Sequence, residues 1–377
     1  MIYVLLTLLV APLLRALAGS GRPTAPRRIL VIQLAKIGDL LCSTPVFREL
    51  KRRHPRAEIH VLANPVNAPL LRLDPHVAAV HEAKAAEFKG LAGKLMLTRR
   101  LRAGNYDAVV CLNVGVAYAV CSLWAQIPVR LAVLPNFCGR AYRLAARLWS
   151  GVEAHRGDRL IQDTYLALLR QIGVEDGSRA KEVHAAPGAA DKVRALLAED
   201  GRPLVGIGVS SANKLKELGT EKVAAVAAGL LARSSELRVV LVGGETDREQ
   251  AATVMAAVAN PERLIDTTGR FALAELPALL ARLSAYVGVD SGVTYMADAV
   301  GVPLVSVAGP CNMAETRPLG RHVVIIQREL PCAPCAHIFH APYRCRTGTH
   351  ACTREVGAEE IVAAVTRLLG AAASHDA

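Results

Sequence analysis

Short apolar runs alternate with longer amphipathic stretches along most of the chain. In the first half, the apolar runs are RRILVIQL, AEIHVLA, HVAAVHE, YDAVVCLN and VRLAVL. Amphipathic stretches follow most of them, for example STPVFRELKRR and EFKGLAGKLMLTRRLRA. Runs that stay apolar at successive positions are typical of strands buried on both faces, as in a parallel sheet. The alternation therefore predicts βαβ units with right-handed crossovers in a doubly wound α/β fold.

The alternation is interrupted once, by a polar segment that contains glycine and proline, GVEDGSRAKEVHAAPGAADK at residues 173–192. It then restarts with PLVGIGVS, LRVVLVGG, RLIDTTG, AYVGVD, PLVSVAGP and HVVIIQ. A chain of 377 residues is also longer than one compact core usually holds. We therefore predict two domains, residues 27–182 and residues 183–377, each built on its own parallel sheet.

The N-terminal segment is strongly apolar, with the sequence MIYVLLTLLVAPLLRALAGSGRP. It is short for a membrane span, which needs about 20 apolar residues, and Pro12 and Arg15 interrupt it. We expect residues 1–26 to form a membrane-associated segment, either an interfacial helix or a short anchor. A signal peptide and a wrongly assigned start codon are the alternatives.

The charge of the chain narrows the class of partner. The formal net charge is +12, which suits nucleic acid, an anionic membrane surface or small phosphorylated substrates. The sequence lacks zinc-finger spacing, RNA-binding aromatic motifs and basic heptads. We therefore predict no nucleic-acid partner and favour a membrane surface or phosphates.

The segment AKIGDLLCSTP, residues 35–45, places charged and flexible residues where the first strand ends. Gly38 lets the chain turn, and Asp39 follows where a helix begins, on the same loop as Lys36. The helix dipole and the unpaired N–H groups of a first turn favour a carboxylate there. Asp39 is therefore either a simple helix cap or an ionised general base.

Two lysines of the second half could meet phosphate. They are Lys214 and Lys216, in GIGVSSANKLKELGTEK at residues 206–222. The glycines and serines of this segment can bring backbone N–H groups close to an anion. Solvated lysines on an ordinary loop are the alternative.

A second phosphate-binding segment is YVGVDSGVTYMADAVGVPLVSVAGP, residues 286–310. Its first strand ends at Asp290, and a helix N-terminus follows, which is a favoured anion site. The next strand returns to the same edge and ends near Gly309 and Pro310. The backbone donors expected at the helix N-terminus belong to Ser291, Gly292 and Val293.

Two long segments resemble motifs of glycosyltransferase family 9, the lipopolysaccharide heptosyltransferase family. They are RILVIQLAKIGDLLCSTPVFRELKRRHPRAEIHVLANP and IDTTGRFALAELPALLARLSAYVGVDSGVTYMADAVGVPLVSVAGP. The resemblance runs in patches from about residue 27 to residue 365. It implies a GT-B fold, in which an N-terminal Rossmann-like acceptor-binding domain faces a C-terminal nucleotide-sugar-binding domain across a cleft. It also implies an inverting mechanism without metal or other cofactor.

The resemblance assigns two roles, those of the catalytic base and of the phosphate-binding lysine. The proposed catalytic base of the family falls on Asp39. The loop lysine that meets the donor phosphates falls on Lys216, with Lys214 close enough to leave the register open. The function implied is transfer of a heptose or related hexose from a nucleotide sugar such as ADP-heptose to a lipopolysaccharide-core or other cell-envelope glycan. The acceptor could be lipid-linked, and we expect the enzyme to be cytoplasmic, peripheral to or anchored at the inner membrane.

The chain departs from the family pattern at two places. The Asp-Thr-Gly of the family is Asp290-Ser291-Gly292 here, and the histidine that usually follows is Tyr295. The Trp-Pro after the loop lysine is Leu218-Gly219. The first departure bears on the role of an imidazole at that position and on the identity of the sugar donor. The alternative function is that of an inactive protein or a different GT-B nucleotide-sugar-binding protein, such as an epimerase.

Four cysteines cluster near the C-terminus, in CAPCAHIFHAPYRCRTGTHAC at residues 332–352. A C-x₂-C pair is typical of metal sites, but the spacing of the second pair is unusual for zinc. We predict free thiols or a disulfide and no metal, with a structural metal as the alternative. The residues concerned are Cys332, Cys335, Cys345 and Cys352. Small core or loop positions are expected for Cys42, Cys111, Cys121, Cys138 and Cys311.

Overall fold

The computed structural model describes residues 2–18 and 26–373. The chain divides into two compact units, Met1–Arg179 and Ala180–Ala377. The predicted domain boundary, after residue 182, lies slightly further along the chain. Predictions that fall on residues 1, 19–25 and 374–377 lie outside the described residues.

The first unit contains a six-stranded parallel sheet. Its strands are β1 Arg28–Gln33, β2 Glu58–Ala63, β3 Ala79–Glu82, β4 Ala108–Cys111, β5 Val129–Leu134 and β6 Gly151–Ala154. Their order is β3-β2-β1-β4-β5-β6, which is the order of a doubly wound sheet. The α-helices of this unit are α1 Ile2–Ala18, α2 Ile37–Arg53, α3 Ala68–Leu71, α4 Gly90–Ala103, α5 Val116–Trp124, α6 Arg140–Ala145 and α7 Ile161–Leu169.

The second unit repeats this architecture. Its strands are β7 Leu204–Gly208, β8 Arg238–Val242, β9 Leu264–Asp266, β10 Ala285–Val289, β11 Leu304–Val307 and β12 Val323–Ile326. They are parallel, in the order β12-β11-β10-β7-β8-β9. The α-helices are α8 Ala189–Leu196, α9 Thr220–Arg233, α10 Arg248–Ala257, α11 Leu276–Ala281, α12 Gly292–Ala299, α13 Ala351–Arg354 and α14 Ala358–Ala373.

Burial explains why the central strands read as unbroken apolar runs. Every residue of β4 and β10 is buried, because helices cover both faces of each sheet. Burying one such aliphatic side chain stabilises the fold by roughly 1.5–3 kcal/mol. The buried strands of each sheet therefore contribute much of the stability of their unit. The predicted fold class, α/β with two doubly wound parallel sheets, is confirmed.

The N-terminal segment forms a helix that continues through Pro12. Helix α1 packs on α5 and also touches α6. Within residues 2–18 and 26–373, no helix combines the length and the apolar character needed to cross a membrane.

Candidate active-site residues

The turn after β1 places Asp39 in the first turn of α2. The helix begins at Ile37, and Lys36 is the extended residue before it. The backbone N–H of Lys36 donates to Oδ2 of Asp39, at 3.2 Å. This is one half of a capping box, in which a carboxylate in the first turn satisfies the backbone of the cap residue. Asp39 and Gly38 are half-buried, and Lys36 is exposed.

A buried polar network supports this turn from below. Gln33, the last residue of β1, is fully buried and donates to Oγ of Ser43 at 2.5 Å. Oγ of Ser43 donates to the carbonyl oxygen of Asp39 at 2.7 Å. On the other side, the amide of Asn113 donates to Oε1 of Gln33 at 2.8 Å. The network ties the backbone of Asp39 to the end of β1 and to the loop after β4, and so positions the carboxylate of Asp39.

Tyr165 of α7 is a further buried member of this network. The pKa of Tyr165 is raised well above its usual value, mainly by burial and to a lesser extent by the negative charge of Asp39. Ser43 and Gln33 form hydrogen bonds with its side chain. The phenol is therefore neutral. It lies close enough to Asp39 for the two to interact electrostatically.

In the second unit, the end of β10 and the loop after β7 meet through an ion pair. The ammonium of Lys216 lies 2.5 Å from Oδ2 of Asp290, and both side chains are largely buried. Burial alone would lower the pKa of Lys216, but the carboxylate of Asp290 raises it above its usual value. Burial would likewise raise the pKa of Asp290, and the charge of Lys216 outweighs this, so that the pKa is lowered. Both groups are therefore charged at neutral pH.

Two further side chains hold the carboxylate of Asp290. The hydroxyl of Tyr295 donates to Oδ1 at 2.5 Å, and the thiol of Cys311 donates to Oδ2 at 3.1 Å. Burial, and then the charge of Asp290, raises the pKa of Cys311 well above its usual value, so the thiol stays protonated as a donor. Tyr295 thus occupies the position of the expected histidine and serves Asp290 as a hydrogen-bond donor.

The structure distinguishes the two candidate lysines. Lys214 is exposed and pairs with Oε1 of Glu217 at 2.5 Å. The same oxygen of Glu217 accepts the backbone N–H of Ser211 at 3.0 Å, so it also shapes the loop. Lys216, by contrast, points to the end of β10 through its pair with Asp290. Of the two lysines, only Lys216 contacts Asp290, which directly follows β10 in the second predicted phosphate-binding segment.

The helix after Asp290 opens as predicted. Ser291 is extended and caps α12, with its hydroxyl oxygen accepting the backbone N–H of Thr294 at 3.5 Å. Gly292 and Val293 form the first turn and are half-exposed. The N–H groups of such a first turn point out of the end of the helix, where they can donate to an anion.

Gly309 and Pro310 follow β11 and are buried. Gly309 has a φ of +55°, a backbone conformation that favours glycine, and a Cβ there would make a tight contact of 3.0 Å with Cγ2 of Thr353. The carbonyl oxygen of Pro310 accepts the backbone N–H groups of Cys335 and Ala336, each at 2.9 Å. The cysteine-containing segment therefore supports this turn.

The four clustered cysteines surround one cavity. Cys332, Cys335, Cys345 and Cys352 line it together with Leu215 and Pro310, which belong to the two predicted donor loops. All four are free thiols. Within residues 2–18 and 26–373, no group of three or more His, Cys, Asp or Glu side chains is arranged to hold a metal ion. The predicted absence of metal stays a prediction, and a structural metal at the four cysteines stays the alternative.

Several residues of these networks were missed by sequence reasoning. The sequence predicts Cys311 only as a small core or loop residue, and Gln33 lies in the apolar run RRILVIQL without an assigned role. A signal existed for Gln33, since a polar side chain that ends an otherwise apolar, doubly covered strand must find buried partners. Cys311 carries no comparable signal, because a buried thiol resembles a small apolar residue.

The comparisons with known proteins define the class first. The fold matches the solved structure of Escherichia coli ADP-heptose LPS heptosyltransferase II, with a TM-score of 0.72 and 22% identity over 93% of this chain and 100% of that one. It also matches a glycosyltransferase family 9 structure from Veillonella parvula, with a TM-score of 0.74 and 21% identity over 91% and 97% of the two chains. By sequence, lipopolysaccharide heptosyltransferase 3 of Escherichia coli is 26% identical over 294 residues, which is 76% of this chain and 85% of that protein.

The family follows from a match to its model. Residues 94–341 match glycosyltransferase family 9 (heptosyltransferase). The chain belongs to glycosyltransferase family 9, and the resemblance drawn from the two sequence motifs is confirmed. The protein is therefore a glycosyltransferase.

Proposed function

We propose that this enzyme transfers a heptose or related hexose from a nucleotide-sugar donor, ADP-heptose or similar, to a lipopolysaccharide-core or other cell-envelope glycan. The observation that carries the proposal is the charged pair of Lys216 and Asp290 beside the N-terminus of α12. A buried ammonium and a helix N-terminus at one strand edge suit the diphosphate of a nucleotide sugar. Relatives named for lipopolysaccharide heptosyl transfer favour heptose and a core acceptor.

In this proposal, Lys216 and the N–H groups of Ser291, Gly292 and Val293 hold the donor diphosphate. They stabilise the negative charge that develops as the nucleotide leaves. Asp290 would repel a phosphate, so its part is to keep Lys216 charged and in position. Gly309 and Pro310 form the neighbouring turn of the donor site. Lys214 supports the lysine loop through its pair with Glu217.

Asp39 is the proposed general base. It takes the proton from an acceptor hydroxyl, whose oxygen then attacks the anomeric carbon from the face opposite the nucleotide. A single-displacement reaction of this kind inverts the configuration and needs one carboxylate, which typically contributes ~10²–10⁴-fold. Lys36 and Gly38 would line the acceptor side of this loop.

We further propose that the reaction is independent of metal, and that the enzyme works from the cytoplasm at the inner-membrane surface. Metal independence is supported by the availability of protein groups for the charge on the leaving diphosphate, Lys216 and the first turn of α12. The formal net charge of +12 suits both an anionic leaflet and a phosphorylated, lipid-linked acceptor. Transfer that stops on addition of a chelator and returns with a divalent cation would contradict the first part.

The test is a donor screen followed by variants. Thermal shifts with ADP-, UDP-, GDP- and TDP-linked sugars identify the nucleotide, because a ligand bound by the folded state raises Tm. With that donor, Asp39→Asn should lower kcat by ~10²-fold or more and leave the donor-induced shift unchanged. Lys216→Met should abolish the shift, whereas the matched variant Lys214→Met should keep it. Full turnover by Asp39→Asn would refute the proposed base, and loss of the shift in Lys214→Met alone would reassign the phosphate lysine.

A further inference from the structure

Helix α1 presents an exposed apolar face. Its large side chains there are between 47% and 77% exposed. They recur every three or four residues, so they form one stripe along the helix. A contiguous exposed stripe of this kind marks an interaction surface. Its members are Ile2, Leu5, Leu6, Leu9, Val10, Leu13 and Leu17.

The opposite face of α1 is docked on its unit. Val4 and Ala11 are buried in the core. Between them, the hydroxyl of Thr7 accepts the indole N–H of Trp124 at 3.0 Å. Helix α1 is therefore an integral part of the first unit, and its orientation determines which side of the unit carries the apolar stripe.

Both ends of the helix are held as well. The ammonium of Lys94 lies 4.8 Å from the ring centroid of Tyr3. Near the other end, the guanidinium of Arg15 donates to the carbonyl oxygen of Arg147 at 2.5 Å. These contacts are distributed along the helix, so the stripe is presented as a rigid surface.

The helices around the stripe are basic. Helices α1, α4, α5 and α6 and the 3₁₀ turn Ala146–Leu148 contain no aspartate or glutamate. Glu87, just before α4, lies 4.0 Å from Arg100 at the edge of this group. Lys94 of this group is buried, whereas its arginines are exposed. The exposed basic side chains are Arg15, Arg99, Arg100, Arg102, Arg140, Arg143 and Arg147.

We propose that α1, together with its basic neighbours, docks the first unit on an anionic lipid bilayer. The helix would lie in the plane of the interface, with the stripe among the acyl chains and the arginines at the headgroups. Charge complementarity favours lipid over a second copy, since two copies would bring like-charged surfaces together. The inference deepens the proposed function, on which it rests for its link to a lipid-linked acceptor.

The experiment is vesicle co-sedimentation of the full chain without donor or acceptor. Vesicles of phosphatidylcholine alone are compared with vesicles that also contain phosphatidylglycerol. Leu9→Gln/Leu13→Gln should weaken binding to the anionic vesicles by at least about tenfold, because two leucines no longer enter the bilayer. The matched control is Val152→Gln, which changes an exposed apolar residue on β6 and should bind like the original chain.

A second variant tests the charge. Arg143→Gln/Arg147→Gln should weaken binding to anionic vesicles by about tenfold or more and remove the preference for phosphatidylglycerol. The tether at Arg147 uses its carbonyl oxygen, so the substitution leaves that hydrogen bond in place. Both double variants change exposed side chains and should keep the original Tm.

The outcomes separate this inference from the proposed function. Loss of vesicle binding with unchanged turnover on a detergent-dispersed acceptor supports the inference. Vesicle binding by Leu9→Gln/Leu13→Gln equal to that of the original chain overturns it. A dimer in sedimentation velocity that this variant converts to monomer also overturns it, in favour of a second copy. If the original chain binds vesicles through this face but turns over no donor, the proposed function fails and the docking surface stands.

Discussion

The ammonium of Lys216 lies 2.5 Å from Oδ2 of Asp290, although 74 positions separate the two residues in the chain. The pair joins the loop after β7 to the end of β10. Asp290→Asn would leave a largely buried ammonium without its counter-charge, and we expect a loss of about 3 kcal/mol in the free energy of unfolding. Urea denaturation measures this loss.

The control for this prediction is Lys214→Met. Lys214 is exposed and its pair with Glu217 lies on the surface, so its loss should change stability by less than about 1 kcal/mol. Equal stability of Asp290→Asn and the original chain would contradict a structural role for the pair.

The pH dependence of this pair follows from the two pKa shifts. The pKa of Asp290 is lowered from 3.8, so its contribution is present above pH 3.8 and is lost as the pH falls through the lower value of the folded state. The pKa of Lys216 is raised from 10.5, so its contribution is present below pH 10.5 and is lost as the pH rises through the higher folded value. Between these limits, the stability that the pair contributes should not vary with pH.

Denaturation of the original chain and of Lys216→Met/Asp290→Asn across the pH range measures this contribution. The difference in stability should be flat around neutrality and should shrink in strong acid. A difference that changes between pH 5 and pH 9, well inside the range given by the ordinary pKa values of 3.8 and 10.5, would show that another group titrates with the pair.

Tyr295→Phe should weaken donor binding without removing catalysis. The substitution deletes the hydroxyl that donates to Oδ1 of Asp290 and keeps the ring, whose centroid lies 5.3 Å from the ammonium of Lys181. We expect a loss of about 1–2 kcal/mol in stability and a higher KM for the donor, because Asp290 then holds Lys216 less firmly. Steady-state kinetics separates KM from kcat. Tyr343→Phe, at an exposed tyrosine, is the control, and an unchanged KM in Tyr295→Phe would reject the positioning role.

Gln33→Leu should lower kcat while donor binding is retained. Gln33 lies in the first unit, and its loss would leave Ser43 and the amide of Asn113 short of partners under the Asp39 turn. The cost to stability should be about 1–3 kcal/mol. The donor-induced thermal shift and kcat are the two measurements. Gln171→Leu, at a half-buried glutamine bonded to a strand carbonyl, is the control, and a reduced donor shift in Gln33→Leu would point to general unfolding instead.

The fold could be predicted wherever burial leaves a mark on the sequence. The six apolar runs of the second half correspond to β7–β12. The four inner strands are apolar because helices cover both of their faces, whereas β9 and β12 lie at the edges and are mostly half-buried. Strand β6 was missed for the opposite reason. Its residues are alternately half-buried and exposed at the edge of the sheet, so the segment GVEA does not read as a core strand.

The site could be predicted only at the level of segments. In the sequence, apolar runs stop and helical stretches begin around Asp39, the lysine loop and Asp290. This pattern predicts that all three lie just after the ends of strands. The sequence left Lys214 and Lys216 as alternatives, because they lie on one loop and differ by two positions. The structure distinguishes the two lysines, because Lys214 pairs with Glu217 at the surface and Lys216 pairs with the largely buried Asp290.

The sequence by itself determined three features, namely the two parallel α/β sheets, the carboxylate in the first turn of α2 and the apolar N-terminal helix. Each of them depends on residues that are neighbours in the chain and on which positions must be buried. Tertiary structure decided which lysine is buried, that Tyr295 and Cys311 converge on Asp290, and which face of α1 stays exposed. Those outcomes depend on side chains brought together from distant positions. Their energies arise from desolvation and close charge pairing, which have no counterpart in the linear pattern.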